Sequence, residues 1–197
     1  MDTIVNYTKS DAGIEIHINY DIITDNASNI IKIITESAHE FYNKNDHNAK
    51  YNVSYILTGN TGNNNTRPFF KLNDMINTIK TKYPGVTFTS SVTKTITKFA
   101  SFLFLLADNR IMSHDAQLIF SDIELPSSTS CGHMIGLIDF VRLLNDDISK
   151  IFVNKGLSEE IIDMCLPLTY HEVSLPKDDI QLNSEECVKL GIATTSI

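Results

Sequence analysis

The chain is expected to fold as one α/β domain built on a largely parallel sheet, and three observations point there. Apolar segments of strand period and of helix period alternate along it. A clean two-residue alternation from Gly13 to Tyr20 opens the series, and a long amphipathic segment from Gly132 to Asn154 stands near its end. Strand–helix–strand–helix order packs helices against a sheet whose strands run mostly parallel. With 197 residues, 42% of them hydrophobic, the chain can bury a core of its own. No Pro-, Gly- or Ser-rich linker and no break in composition divides it, so residues 1–197 are read as a single domain.

The elements follow in order. Ile14, Ile16, Ile18 and Tyr20 share one face of the first strand, with Glu15, His17 and Asn19 on the other. From Asn26 to Tyr42, Ile30, Ile34, Ala38 and Phe41 keep a helical period, and Asp25 or Asn26 suits its N-cap. Asn43 to Lys50 is a polar loop. Val53 to Leu57 is a strand that runs into the turn-rich Thr58 to Thr66. Pro68 opens a helix carried by Phe69, Leu72, Ile76, Ile79 and Tyr83 and ended by Pro84-Gly85. Val86 to Thr89 is a further strand, and Thr97 to Ala107 a helix apolar on nearly all sides. Two short strands follow, around Ile111 and from Gln117 to Phe120, then an irregular stretch from Ile123 to Cys131.

The long helix from Gly132 has Met134, Leu137, Ile138, Val141, Leu144, Ile148, Ile151 and Phe152 as its stripe. At ~1.5 Å per residue it spans about 33 Å. Ser158 caps a short helix through Met164, and a looser stretch leads to Asp179. Asn183-Ser184-Glu185-Glu186 is a capping box for a last helix closed by Gly191.

Composition excludes several classes of function. A net charge of −8 argues against nucleic acid as a partner, which needs a basic face to displace counterions. The longest dense apolar run, Phe99 to Ala107, is far short of the ~20 residues that span a bilayer. Met1-Asp2-Thr3-Ile4 lacks the basic start of a signal peptide, so a cytoplasmic location is expected, or the host cytoplasm for a viral chain. Cys131, Cys165 and Cys187 lie far apart without CxxC or Cys/His spacing, which points to free thiols and to no metal site.

Two segments carry a family likeness. Phe99-Ala100-Ser101-Phe102 opens the buried helix, and Arg110-Ile111-Met112 then leads to the strand Gln117-Leu118-Ile119-Phe120. Near the end, Asp179-Ile180-Gln181-Leu182 runs into the capped helix and Gly191-Ile192. In this order and spacing the chain resembles the ClpP family of the Clp protease/crotonase superfamily. There an Ala-Ser at the start of a buried helix leads, through an Arg, to a strand ending in a catalytic histidine. The resemblance covers most of the chain from about Ile14 onward. It implies a repeated ββα superhelix, with the helix from Gly132 as the handle by which rings of such proteases stack.

Carried over residue by residue, Ser101 matches the nucleophile and Asp179 the triad acid. The histidine position falls on Ser121, a departure that matters because a serine hydroxyl is a poor nucleophile without a base to take its proton. His114, in the turn before that strand, is a possible replacement base, and His133 and His171 are others. The family's oxyanion donors fall on the amide of Phe102 and on the backbone of Asn60-Thr61 or Thr61-Gly62, in the loop after the Val53 strand. Acyl-CoA chemistry of the crotonase kind is disfavoured, because Lys98-Phe99-Ala100 is not the glycine-rich loop that a thioester oxyanion needs. The residues also allow Ser101 to be a small side chain in a packed helix and Asp179 a solvated acid before one.

Two readings follow from the resemblance. One is a Clp-type serine endopeptidase subunit, acting in a stacked ring on unfolded polypeptides beside an AAA+ unfoldase and needing no cofactor. The other is a non-catalytic ring subunit, a pseudoprotease that keeps the fold and the stacking helix in homo- or hetero-oligomers.

Overall fold

The computed structural model describes residues 6–19, 23–46, 48–58, 66–97, 99–121, 131–166 and 179–197, with the backbone alone for 23–25 and 131–139. β1 (Tyr7–Ser10) and β2 (Gly13–Asn19) form an antiparallel hairpin with Tyr7 opposite Ile16. The sequence reading does not anticipate β1, because all four of its residues are exposed and no alternation marks it. β2 buries Ile14, Ile16 and Ile18 and exposes Glu15, His17 and Asn19, as its pattern implies. Glycine is required at its first position. A Cβ on Gly13 would stand 2.2 Å from the Asn52 carbonyl oxygen of the next strand.

α1 (Ile23–Tyr42) begins before the expected cap, so Asp25 and Asn26 lie inside its first turn rather than at its N-cap. β3 (Tyr51–Thr58) and α2 (Arg67–Lys82) follow, with Pro68 in the first helical turn as expected. β4 (Val86–Val92) continues past Thr89, because Ser90, Ser91 and Val92 stay paired with β3, and the buried Ser90 donates its hydroxyl to the Phe104 carbonyl at 3.0 Å. Thr97 belongs to a two-residue strand, β5 (Ile96–Thr97), so the apolar helix α3 is shorter than expected, Phe99–Leu105. β6 (Asn109–Met112) and β7 (Gln117–Phe120) are where the sequence puts them.

The long helix α4 is Cys131–Asn154, and α5 is Glu159–Cys165 with the Ser158 hydroxyl accepting from the Ile161 amide. β8 (Ile180–Asn183) alternates Ile180 and Leu182 with Gln181 and Asn183, a strand pattern that the sequence reading passes over. α6 (Ser184–Lys189) has the expected capping box, with Asn183 and Glu186 accepting from each other's amides at 2.9 and 3.0 Å. Gly191 closes it at φ +72°, a conformation that suits glycine. β9 (Thr195–Ser196) ends the described chain.

The architecture is mixed α/β. A six-stranded sheet runs β1-β2-β3-β4-β6-β9, parallel throughout except for the β1–β2 hairpin. A three-stranded sheet runs β5-β7-β8, with β5 parallel and β8 antiparallel to β7. The large sheet is covered on one face. Tyr51, Val53, Tyr55 and Leu57 point inward beside Val86, Phe88, Ser90 and Val92, in register across β3 and β4. On that face Ser37 of α1 bonds the Tyr51 hydroxyl at 2.6 Å, and α3 approaches Tyr55 and Ser90. The opposite face is polar, with Thr89 donating to Asn52 at 2.9 Å.

α3 lies between the two sheets, against β3 and β4 on one side and β5 and β7 on the other. All seven of its residues are buried, which is why its sequence is apolar around the whole helix. Phe102 at its centre touches Phe69, Phe99, Phe120 and Phe152, with ring centroids 5.1–6.3 Å away. One aromatic cluster therefore ties α2, α3, β7 and α4 together.

Candidate functional site

Three of the positions singled out by the sequence, Ser101, Ser121 and Asp179, lie beside the small sheet. Ser101, in the first turn of α3, is fully buried, and its hydroxyl lies 3.2 Å from the Ile96 carbonyl and 3.0 Å from the Ile119 carbonyl. A hydroxyl carries one proton, so these two acceptors compete for it. They also say what Ser101 does for the fold: it ties the start of α3 to β5 and to β7. Ser121 directly follows β7 and is half-buried, whereas Asp179 directly precedes β8 and is exposed. Phe120 pairs with Ile180 across the β7–β8 ladder, so the next step of the same register sets Ser121 opposite Asp179.

His114 sits elsewhere. It lies in the turn before β7, at the strand end opposite Ser121, and it is exposed. Its ring Nδ1 is 3.1 Å from the Ser196 hydroxyl, its amide donates to the Ile197 carbonyl at 2.9 Å, and its carbonyl accepts from Ser184 at 3.2 Å. His114 is thus a fastener between the β6–β7 turn, α6 and β9, and no hydrogen bond joins it to Ser101. His39 bonds the Tyr83 hydroxyl at 2.8 Å, and His17 stands 4.0 Å from Glu15, both away from α3. Phe102 is in mid-helix with its ring in the aromatic cluster. Asn60, Thr61, Gly62 and His171 lie outside the described residues, as does the side chain of His133.

The two described cysteines are unsuited to nucleophilic chemistry. Cys165 and Cys187 are fully buried, and desolvation pushes both thiols up to about 12. Nucleophilic cysteines need the opposite shift. Tyr42, Tyr51 and Tyr55 are held protonated in the same way, chiefly by burial. The linkage has a definite sign. A folded pKa above the unfolded one contributes stability that is whole below the ordinary thiol value of 9.0 and is lost as pH climbs toward 12. The urea midpoint is therefore expected to hold level between about pH 7 and pH 8.5 and to fall steadily above about pH 9. A midpoint still level at about pH 10.5 would mean that these groups are hydrated in the native state.

Among the described residues no cluster of three His, Cys, Asp or Glu side chains could hold a metal ion. None of the described helices is long and apolar enough to cross a membrane.

One feature of the surface was missed by the sequence reading. Phe140, Leu143 and Val153 on α4 are 56%, 66% and 55% exposed, while Val141, Leu144, Ile148 and Phe152 are buried. Phe140 and Leu143, with the half-buried Phe70 of α2, line a cleft of about 500 Å³ between α2 and α4. The signal was present in the helical period, since both residues fall outside the apolar stripe that packs inward.

Together these features define a mixed α/β chain with a buried serine, a facing Ser–Asp pair at the end of a small sheet, and a long helix with an exposed apolar flank. No protein-family model and no curated protein matches the chain.

Proposed function

We propose that the chain is a Clp-like ring subunit in which Ser101 is structural rather than nucleophilic, a pseudoprotease that acts through assembly. The observation that carries this reading is the environment of Ser101. Its hydroxyl is out of reach of solvent, it is occupied by two backbone carbonyls, and no described histidine bonds it. A nucleophile requires a neighbouring base and an open approach for a peptide carbonyl. The Clp-like part of the reading is supported by the shared location of Ser101, Ser121 and Asp179 around β7 and β8, which is where the resemblance sets its triad. The exposed Phe140 and Leu143 supply what an assembling subunit needs, an apolar surface on the helix that would stack rings. Its partners would be further copies of itself or an active subunit of the same kind, which would supply the cleavage of unfolded polypeptides beside an AAA+ unfoldase.

The test is fluorophosphonate labelling of the purified protein beside Ser101→Ala, with particle size read in the same run. The expected result is an oligomer that does not label. In it, Ser101→Ala would keep the oligomer and lower subunit stability by about 1 kcal/mol, the worth of one buried hydroxyl hydrogen bond. Labelling that disappears with Ser101→Ala would overturn this reading in favour of the Clp-type serine endopeptidase. The search for the base would then turn to His171.

A further inference from the structure

A second cleft, away from Ser101, gathers positive charge in a chain that is acidic as a whole. It has a volume of about 710 Å³ and is lined by Asn77, Lys80, Thr81, Asp108, Arg110 and Lys155 among others. Asp108 is already engaged: one carboxylate oxygen takes the Lys80 ammonium and the other accepts from the Phe88 amide at 3.0 Å. Asp108 thus offsets Lys80. Arg110 and Lys155 are left with no carboxylate within 4.0 Å among the described residues.

Arg110 is the unusual member. It lies on the helix-covered face of the large sheet, in register with Ser90, and is only 8% exposed. One guanidinium nitrogen donates to the Gly191 carbonyl at 3.1 Å, and its Nε has no partner. A buried guanidinium that makes one neutral hydrogen bond is costly, and such groups are normally paired with an anion. Lys80 and Lys155 have a bland explanation, since they stand in the last turn of α2 and just past the end of α4, where cations favour the helix dipole. Arg110, on a strand, has only its bond to the Gly191 carbonyl just past α6, which leaves the rest of the guanidinium unexplained. Burial, and next the nearby Lys80 charge, lowers the Lys155 pKa, and the Asp108 carboxylate only partly opposes them.

We propose that this cleft binds a dianionic phosphate group, held between the Arg110 guanidinium and the Lys155 ammonium. Lys80, Arg110 and Lys155 against the one carboxylate of Asp108 leave the cleft two positive charges in excess, which match a dianion better than a single carboxylate, and an arginine fork suits tetrahedral oxyanions. The cleft is larger than a phosphate, so the group can be free phosphate or the headgroup of a small phosphate monoester.

Thermal unfolding of the full chain tests this at about pH 8, where phosphate is largely dianionic. The probes are inorganic phosphate, sodium chloride at matched ionic strength, sodium acetate and glycerol 3-phosphate. Inorganic phosphate is expected to raise Tm in a saturable way that chloride and acetate do not reproduce. Lys155→Gln, at a partly exposed position that the fold tolerates, is expected to weaken phosphate binding at least about tenfold, and Lys155→Arg to restore it. Glycerol 3-phosphate binding more tightly than phosphate would identify a monoester as the ligand, and equal binding would identify the free ion. Equal shifts from phosphate and chloride, an equal shift from acetate, or a Lys155→Gln protein that keeps its phosphate shift would each overturn the proposal.

Discussion

Replacing Phe140 and Leu143 together by aspartate is expected to break the assembled protein into its smallest folded unit while leaving the subunit folded. The two side chains are more than half exposed in the single chain, on the helix that the ring reading assigns to stacking. Truncating a central apolar anchor of an interface costs roughly 2 kcal/mol or more, about thirtyfold in affinity for each position. A buried charge in its place costs further. Light scattering after size exclusion reads the outcome directly. The substitutions lie outside the inward stripe of Val141, Leu144, Ile148 and Phe152, so the circular dichroism spectrum should stay as it was. An oligomer that keeps its size with both aspartates would remove α4 from the interface. A wild-type chain that is monomeric at every concentration would remove assembly from the proposed function.

Phe102→Ala is expected to have the largest effect on stability, a loss of about 3–5 kcal/mol. The ring is buried between α2, β7 and α4 and meets four other phenylalanines, so the surroundings cannot collapse into the vacated space without moving three elements. At an m-value of roughly 2 kcal/mol per M of urea, the unfolding midpoint should fall by about 2 M. A fall below about 0.5 M would mean that the cluster repacks, and that α3 is not the pin between the two sheets. Under the Clp-like reading proposed above, the amide of Phe102 would serve an oxyanion hole. Its side chain has the separate task of holding the core, and the variant measures that task alone.

Much of the architecture is legible in the amino-acid order. The alternation of β2 marks a strand with one covered face, and the apolar sequence of α3 marks a helix buried on all sides. The capping pairs at Ser158 and at Asn183–Glu186 are local hydrogen bonds between residues three apart, so the sequence contains both partners. The elements that escaped are short or peripheral. β1 is exposed throughout, and β5 and β9 have two residues each, so their strand character comes from the backbone of neighbours distant in sequence.

The candidate site divides along the same line. Ser101, Ser121 and Asp179 are singled out in the sequence only through the family resemblance. That the Ser101 hydroxyl is spent on the Ile96 and Ile119 carbonyls, and that His114 is tied to Ser196, depends on which strands lie beside α3 and beside the β6–β7 turn. The basic cleft belongs wholly to this second kind. Lys80, Arg110 and Lys155 come from the end of one helix, a strand and the end of another helix, and no local pattern relates them. Periodicity and capping are properties of neighbours along the chain, so the amino-acid order alone suffices for the strands, the helices and their inward faces. Burial of a hydroxyl and convergence of charges are properties of neighbours in space, and they exist only once the two sheets have closed around α3.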